Sequence, residues 1–258
     1  MARFQHTVTL FPVPRRWFES FVVVIHDLAE SLDDDGQRLR LPDGRYLPGL
    51  RLVGGKHLKP GARYDLEDGN ADETHGRATF TILAWDRHRR TSLDITVRGN
   101  GPAGSEPPLS CRLDLKTAER PQQVELSVRL KAGAGAWSKY AEGYAELHLD
   151  LGRWWSSVTG TAPFKGPALS GTVKQTLVRA RVTTITRSTH DRFWRVTVKA
   201  RVKGRSIGRL LLPVVMTVAG RRARTSFVRA LDDAARKWNG WIPELVRSDP
   251  SKLVDRVF

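Results

Sequence analysis

The 258-residue chain holds one cysteine, Cys111. It can therefore close no internal disulfide and has no thiol set for a zinc site. A lone cysteine reads as a small buried apolar side chain in a reducing compartment. No run of 18 apolar residues occurs, and the greasiest stretch, Phe18 to Leu28, is too short to span a bilayer. The opening MARFQHTVTLF lacks the basic, apolar and small-residue zones of a signal peptide. Together these absences predict a cytoplasmic protein without a transmembrane segment. Chemistry motifs are missing too: there is no P-loop, HExxH, nucleophile elbow or CxxC. GNGPAG at Gly99 to Gly104 spells GxGxxG, but it runs into Ser105-Glu106-Pro107-Pro108 instead of opening a helix. The seven histidines are scattered without ligand spacing, so no metal or cofactor is expected. His26 with Asp27, or Asp94, could do acid–base work, but no spacing supports it. No repeat of fixed period appears.

Acidic residues are scarce in one region. From Gly171 to Lys237 there are seventeen Lys or Arg against only Asp191, Asp232 and Asp233, whereas the whole chain has a net charge of +16. Nearly all the excess sits in that region, which argues for an anionic neighbour: a phosphate backbone, an acidic headgroup or an acidic protein.

Strand patterns dominate. Phe4 to Phe11 alternates until Pro12 and Pro14 stop it, and Phe18, Phe21, Val22, Ile25 and Leu28 predict a helix over residues 15–31. Asp33 to Gly36 reads as a loop, and Pro42 to Gly44 as a tight turn between short strands. Two hairpins follow, 78–85 with 93–98 about DRHRR, and 111–116 with 124–131 about AERPQQ. Another strand spans 145–151, GRWWSSVTGTAPFKGPALSG reads as loop or insertion, and residues 173–186 and 193–203 predict a long hairpin. A helix with one apolar face is predicted from Ser206 to about Trp238, with Gly240 and Pro243 suited to its end. The order implies an α+β fold, an antiparallel sheet curled around a terminal helix.

A first strand, a helix beginning PRRWF, an LPGL turn at Leu47 to Leu50, and a final strand passing through KGRSIGRLLLPVV into an Arg-rich helix resemble the START-like, helix-grip superfamily of polyketide cyclases and lipid-transfer domains. The match is best over 193–238. The resemblance implies one domain over 1–258, a curved antiparallel sheet wrapped around the long C-terminal helix, and an apolar ligand held between them. Extra strands or an insertion would occupy about 133–171. It carries over no catalytic set.

Two faces are expected at the terminal hairpin. Val196, Val198, Ala200 and Val202 point one way, with Val178, Ala180 and Val182, while Lys199, Arg201, Lys203, Arg179 and Arg181 form a cationic plate on the other side. The leading expectation is a small hydrophobic or lipid-like ligand in a cavity lined by Phe80, Ile82, Trp85, Trp137, Tyr140, Tyr144, Trp194 and Val215, with the plate meeting an anionic membrane or a nucleic acid. Alternatives are a nucleic-acid-binding protein working through the basic C-terminal third, and a cyclase or hydratase acting in the same pocket.

Overall fold

Alternation of side chains is what organises the fold, as a computed structural model shows for residues 1–66, 77–98, 109–130, 143–160, 166–189, 193–205 and 208–250, the side chains of 77, 98, 130 and 208–219 excepted. Among the described residues are thirteen strands, antiparallel in every pairing described here, and a long C-terminal helix, giving an α+β protein. The residues fall into two compact units, one formed by Met1–Trp17 with Gly143–Ser248, the other built on Phe18–Glu142. No helix among the described residues is long and apolar enough to cross a membrane.

In the first unit, β1 (Ala2–Leu10), β13 (Trp194–Gly204), β12 (Val178–Ser188), β11 (Leu169–Gln175) and β10 (Gly143–Asp150) lie side by side in that order. The register of β1 on β13 runs without a bulge from Ala2↔Val202 to Leu10↔Trp194. One face is apolar: Val8, Trp194, Val196, Val198 and Ala200 are buried there. Two helices cover it, α2 (Leu151–Thr159) against β12 and β10, and α3 (Gly208–Arg247) against β1 and β13. Phe227 of α3 meets Phe4 at 5.8 Å between ring centroids, and Asp232 bonds His6 Nε2 at 2.7 Å. Trp154 and Trp155 of α2 close on Trp194 at 5.4 and 6.2 Å.

Asn239 fixes the far end of α3. Its amide accepts from the Phe11 N–H at 2.7 Å and donates to the Thr9 carbonyl at 2.9 Å, imitating a neighbouring strand on the outer edge of β1. Trp238 donates to the Phe11 carbonyl at 2.9 Å. Asn239→Ala leaves two backbone groups without these partners, and a loss of about 1 kcal/mol is expected in the urea unfolding midpoint.

The second unit contains β2 (Asp33–Asp35), β3 (Arg38–Arg40), β4 (Tyr46–Gly54), β5 (Arg63–Leu66), β6 (Arg77–Asp86), β7 (Arg90–Arg98), β8 (Leu109–Lys116) and β9 (Gln123–Leu130), each paired with the next. Leu32, Leu39, Leu41, Leu47, Leu52, Ala62, Tyr64 and Ile82 make its core. The helix α1 (Arg15–Ser31) brings His26 to this sheet. A carbonyl only accepts, so His26 Nδ1 donates to Val22 O at 2.9 Å, and Nε2 accepts from Thr91 Oγ1 at 2.8 Å.

Four expectations are corrected. Asp33–Asp35 is a strand and not a loop, because Arg38 and Arg40 lie opposite its last and first carboxylates. Residues 173–186 are not one strand: β11 ends at Gln175 and β12 starts at Val178. The unassigned Trp-Trp segment begins with a helix, because Asp150 caps it by accepting from Arg153 N at 2.9 Å and Gly160 ends it with φ 71°. The terminal helix passes Gly240 and Pro243 and reaches Arg247. Burial of Ile242 outweighs the poor helix propensity of those two residues.

Candidate functional site

On the face of the first unit turned away from α2 and α3, register places the basic residues in cross-strand rows. Lys174 lies opposite Arg179, which lies opposite Lys203. Arg181 is opposite Arg201, which is also opposite Arg3 of β1. Lys199 follows, flanked by Thr183 and Gln5, and then Arg187 opposite Arg195. Residues directly opposite on neighbouring strands project to the same side about 5 Å apart. The anion-facing residues read from sequence, Arg179, Arg181, Lys199, Arg201 and Lys203, are therefore brought together on one surface. Four more lie there too: Arg195, which alternation along its own strand already sets beside Lys199, Arg201 and Lys203, and Arg3, Lys174 and Arg187, which sequence reasoning misses. Period-two reading marks each as facing outward on its own strand, but only pairing shows that the strands are adjacent.

Charge compensation on this face is slight. Glu146 of β10, opposite Thr172, takes Lys174 at 3.2 Å, and Asp150 at the end of the same strand is taken by Arg153 of α2 at 3.1 Å. The other eight cations have no acidic partner among the described residues. The second unit's sheet also sets like charges opposite, Arg90 against Lys116 and Asp114 against Glu125, but there acids take the cations: Arg90 pairs Asp114, with Nε to Oδ1 at 2.8 Å, Arg112 pairs Asp94 at 3.0 Å, and Lys116 pairs Glu125 at 3.2 Å. Like charges set directly opposite destabilise a sheet by roughly 0.2–1 kcal/mol per pair, less where water screens them. The first unit retains five such pairs, Lys174/Arg179, Arg179/Lys203, Arg181/Arg201, Arg201/Arg3 and Arg187/Arg195. An anion seated between them removes the repulsion.

This has a measurable consequence. Arg201→Thr relieves two of the pairs with a residue that suits a strand, and it is expected to raise stability by about 0.5 kcal/mol at low ionic strength. Added sulfate should raise the melting temperature of the parent more than that of the variant. Equal shifts would mean that the row is not under electrostatic strain.

The surface is grooved and carries hydroxyls. A depression of about 780 Å³ lies over Gln5, Arg187, Thr189, Arg195, Thr197 and Lys199. A second, of about 620 Å³, adjoins it at Ile185, Arg187 and Lys199 and reaches Arg153 of α2. Thr7 and Thr197 bond each other at 2.9 Å, and Ile185, 42% exposed, is the apolar side chain between the cations. The cations at 195, 199, 201 and 203, with Thr197 between the first two, cover a length of roughly 27 Å along β13, and the four strands β11, β12, β13 and β1 span roughly 14 Å.

The expected cavity residues are distributed differently. Ile82 lies in the core of the second unit, with Phe80 and Trp85 packed against it, and Trp85 stacks on His26 at 4.6 Å. Trp194 belongs to the first unit and packs on Trp154 and Trp155. Tyr144 is on the basic face, 5.5 Å beneath Lys174 Nζ. Trp137, Tyr140 and the side chain of Val215 lie outside the described residues. Among the acid–base candidates, both ring nitrogens of His26 are occupied as above, Asp27 holds Arg87 at 2.7 Å, and Asp94 holds Arg112. Burial, and after it Asp94, pushes the Cys111 thiol up, away from nucleophilic use.

No family model, no curated protein and no solved structure matches the chain.

Proposed function

We propose that the first unit binds double-stranded nucleic acid through its phosphate backbone, on the basic face of β11, β12, β13 and β1. One observation carries the reading: eight of the nine cations in the cross-strand rows have no acidic partner among the described residues, while Arg90, Arg112 and Lys116 on the second unit's sheet each have one. Six of the nine cations, Arg3, Arg179, Arg181, Arg187, Arg195 and Arg201, are arginine, whose planar fork takes phosphate oxygens in pairs. The interleaved threonines add neutral donors of the kind that position a backbone without reading its sequence.

A duplex suits the face better than a single strand does. Binding a single strand relies on bases stacked on aromatic rings, and Tyr144, at one margin and already under Lys174, is the aromatic side chain in these rows. An acidic membrane is a weaker fit, because the exposed apolar side chains beside the cations are few, Ile185 among them and Phe193 at one end, where its ring already packs on Phe11. A helix-grip scaffold of the kind the terminal segment resembles is compatible with this use, since a helix over one face leaves the other for a partner.

Anisotropy titration of a labelled duplex across a salt series tests the proposal. About six phosphates contacted would give a log–log slope near −5. A slope near zero, or tighter binding to phosphatidylserine vesicles than to the duplex, would overturn it.

A further inference from the structure

β11 pairs with β12 only as far as Ser170↔Thr183. From Thr184 to Ser188, β12 keeps β13 on one side and has no strand on the other among the described residues. α2 and residues 166–168 wall this gap, leaving the cleft of about 620 Å³. The two sides of the cleft differ. Toward α2 it is polar, lined by Ser157, Thr186 and Arg153, whose guanidinium is paired with Asp150 at 3.1 Å and lies against Gly166, where a Cβ would stand 3.2 Å from Nη1. Toward the open face it is cationic, lined by Arg187, Lys199 and Arg201.

Thr186 marks what the inner side is for. Its side chain is buried, 5% exposed, and its hydroxyl has no hydrogen-bond partner among the described residues. A buried hydroxyl left unpaired is unfavourable wherever a partner could be had. Thr184, its neighbour on the same face, reaches the Leu169 carbonyl at 3.5 Å. A free phosphate would fill little of the cleft and would leave the Thr186 hydroxyl unused.

We infer that the cleft takes one unpaired nucleotide, with its base between α2 and the margin of β12 and a polar edge on the Thr186 hydroxyl. The phosphate stays on Arg187, Lys199 and Arg201. The inference rests on the nucleic-acid reading and gives that surface a preference: a duplex with an overhanging or unpaired nucleotide binds more tightly than a blunt one.

Two measurements on the full chain decide it. In calorimetry, AMP and CMP are expected to bind at least tenfold more tightly than inorganic phosphate; equal affinities overturn the cleft whatever the duplex does. In anisotropy, Thr186→Val is expected to erase the preference for a one-nucleotide overhang while leaving blunt-duplex affinity unchanged, and Thr186→Ser to keep it. An overhang preference that survives Thr186→Val also overturns the proposal. Should Thr186→Val fail to fold, the calorimetric comparison on the parent chain stands alone. Absence of blunt-duplex binding together with tight nucleotide binding would remove the backbone proposal and keep the cleft.

Discussion

Replacing Arg181 and Arg201 together by glutamate is expected to weaken duplex binding by about 100-fold or more at 100 mM salt, and to flatten the salt dependence by about two in the log–log slope. Both residues sit in the middle row of the basic face, directly opposite each other, with Arg3 on the far side of Arg201. The double change replaces two positive charges by two negative ones. It removes two contacts and also sets two acids against the phosphates that the neighbouring cations hold. Both side chains are exposed, so the fold should tolerate it: the like-charge pair 181/201 is kept with its sign reversed, and the carboxylate introduced at position 201 gains Arg3 as an opposite charge. The control is the second unit. Arg112→Gln with Lys116→Gln removes two exposed cations that already have acidic partners, and duplex affinity should change by less than about threefold. If the glutamine double weakens binding about half as much in log units, in proportion to its smaller change of charge, net charge alone governs it and the rows have no special part. If neither does, the basic face is not where duplex binds.

How much of this is legible in the sequence depends on whether a feature is local or made by pairing. The two faces of β13 are local: alternation alone sets Val196, Val198 and Ala200 inward, and they are buried. The turn at Pro42 to Gly44 is local as well, and there the Asp43 carboxylate accepts from Arg45 N at 2.9 Å and from its Nε at 2.7 Å, contacts that hold its pKa below the usual value. The rows of cations are only half legible. Arg3 is more than 170 residues from Arg179 in sequence and reads as part of another element, yet one strand, β13, separates their strands. Pairing across such distances leaves no mark on periodicity. The α2 segment escapes for a different reason: with nine residues, it offers only about two and a half turns in which a helical period can show. Its signals are the cap at Asp150 and the stop at Gly160. Large aromatics point toward a pocket because they bury much area wherever they are. Sequence does not say that Trp85 and Trp194 belong to different units.

Gly55→Ala is expected to destabilise the second unit by about 3 kcal/mol or more. Gly55 follows β4 with φ +81°, in the left-handed region where an L side chain meets the backbone, itself a cost of roughly 1–2 kcal/mol. The rest of the loss comes from what lies nearby. A Cβ at Gly55 would stand 2.8 Å from Ala62 Cα, 3.0 Å from its N and 3.0 Å from the Gly61 carbonyl oxygen, all backbone atoms. They cannot retreat easily. Gly61 N donates to Ile82 O at 2.8 Å and Ile82 N to Ala62 O at 2.9 Å, and Ala62 is fully buried in the core that Ile82 shares. The same loop is tied from its other side: Tyr64 Oη accepts from Leu58 N at 2.8 Å and donates to His57 Nδ1 at 2.8 Å, while His57 Nε2 donates to Ala29 O at 2.8 Å. Gly44→Ala separates the two causes. Gly44 has φ +88° but nothing within 4 Å of its Cβ position, so the strain remains without the clash and the loss should be only about 1 kcal/mol. Urea unfolding of the two variants measures the difference. Equal losses would show that the 55–62 loop gives way, and that its ties to Ile82 and Tyr64 are weaker than their geometry implies.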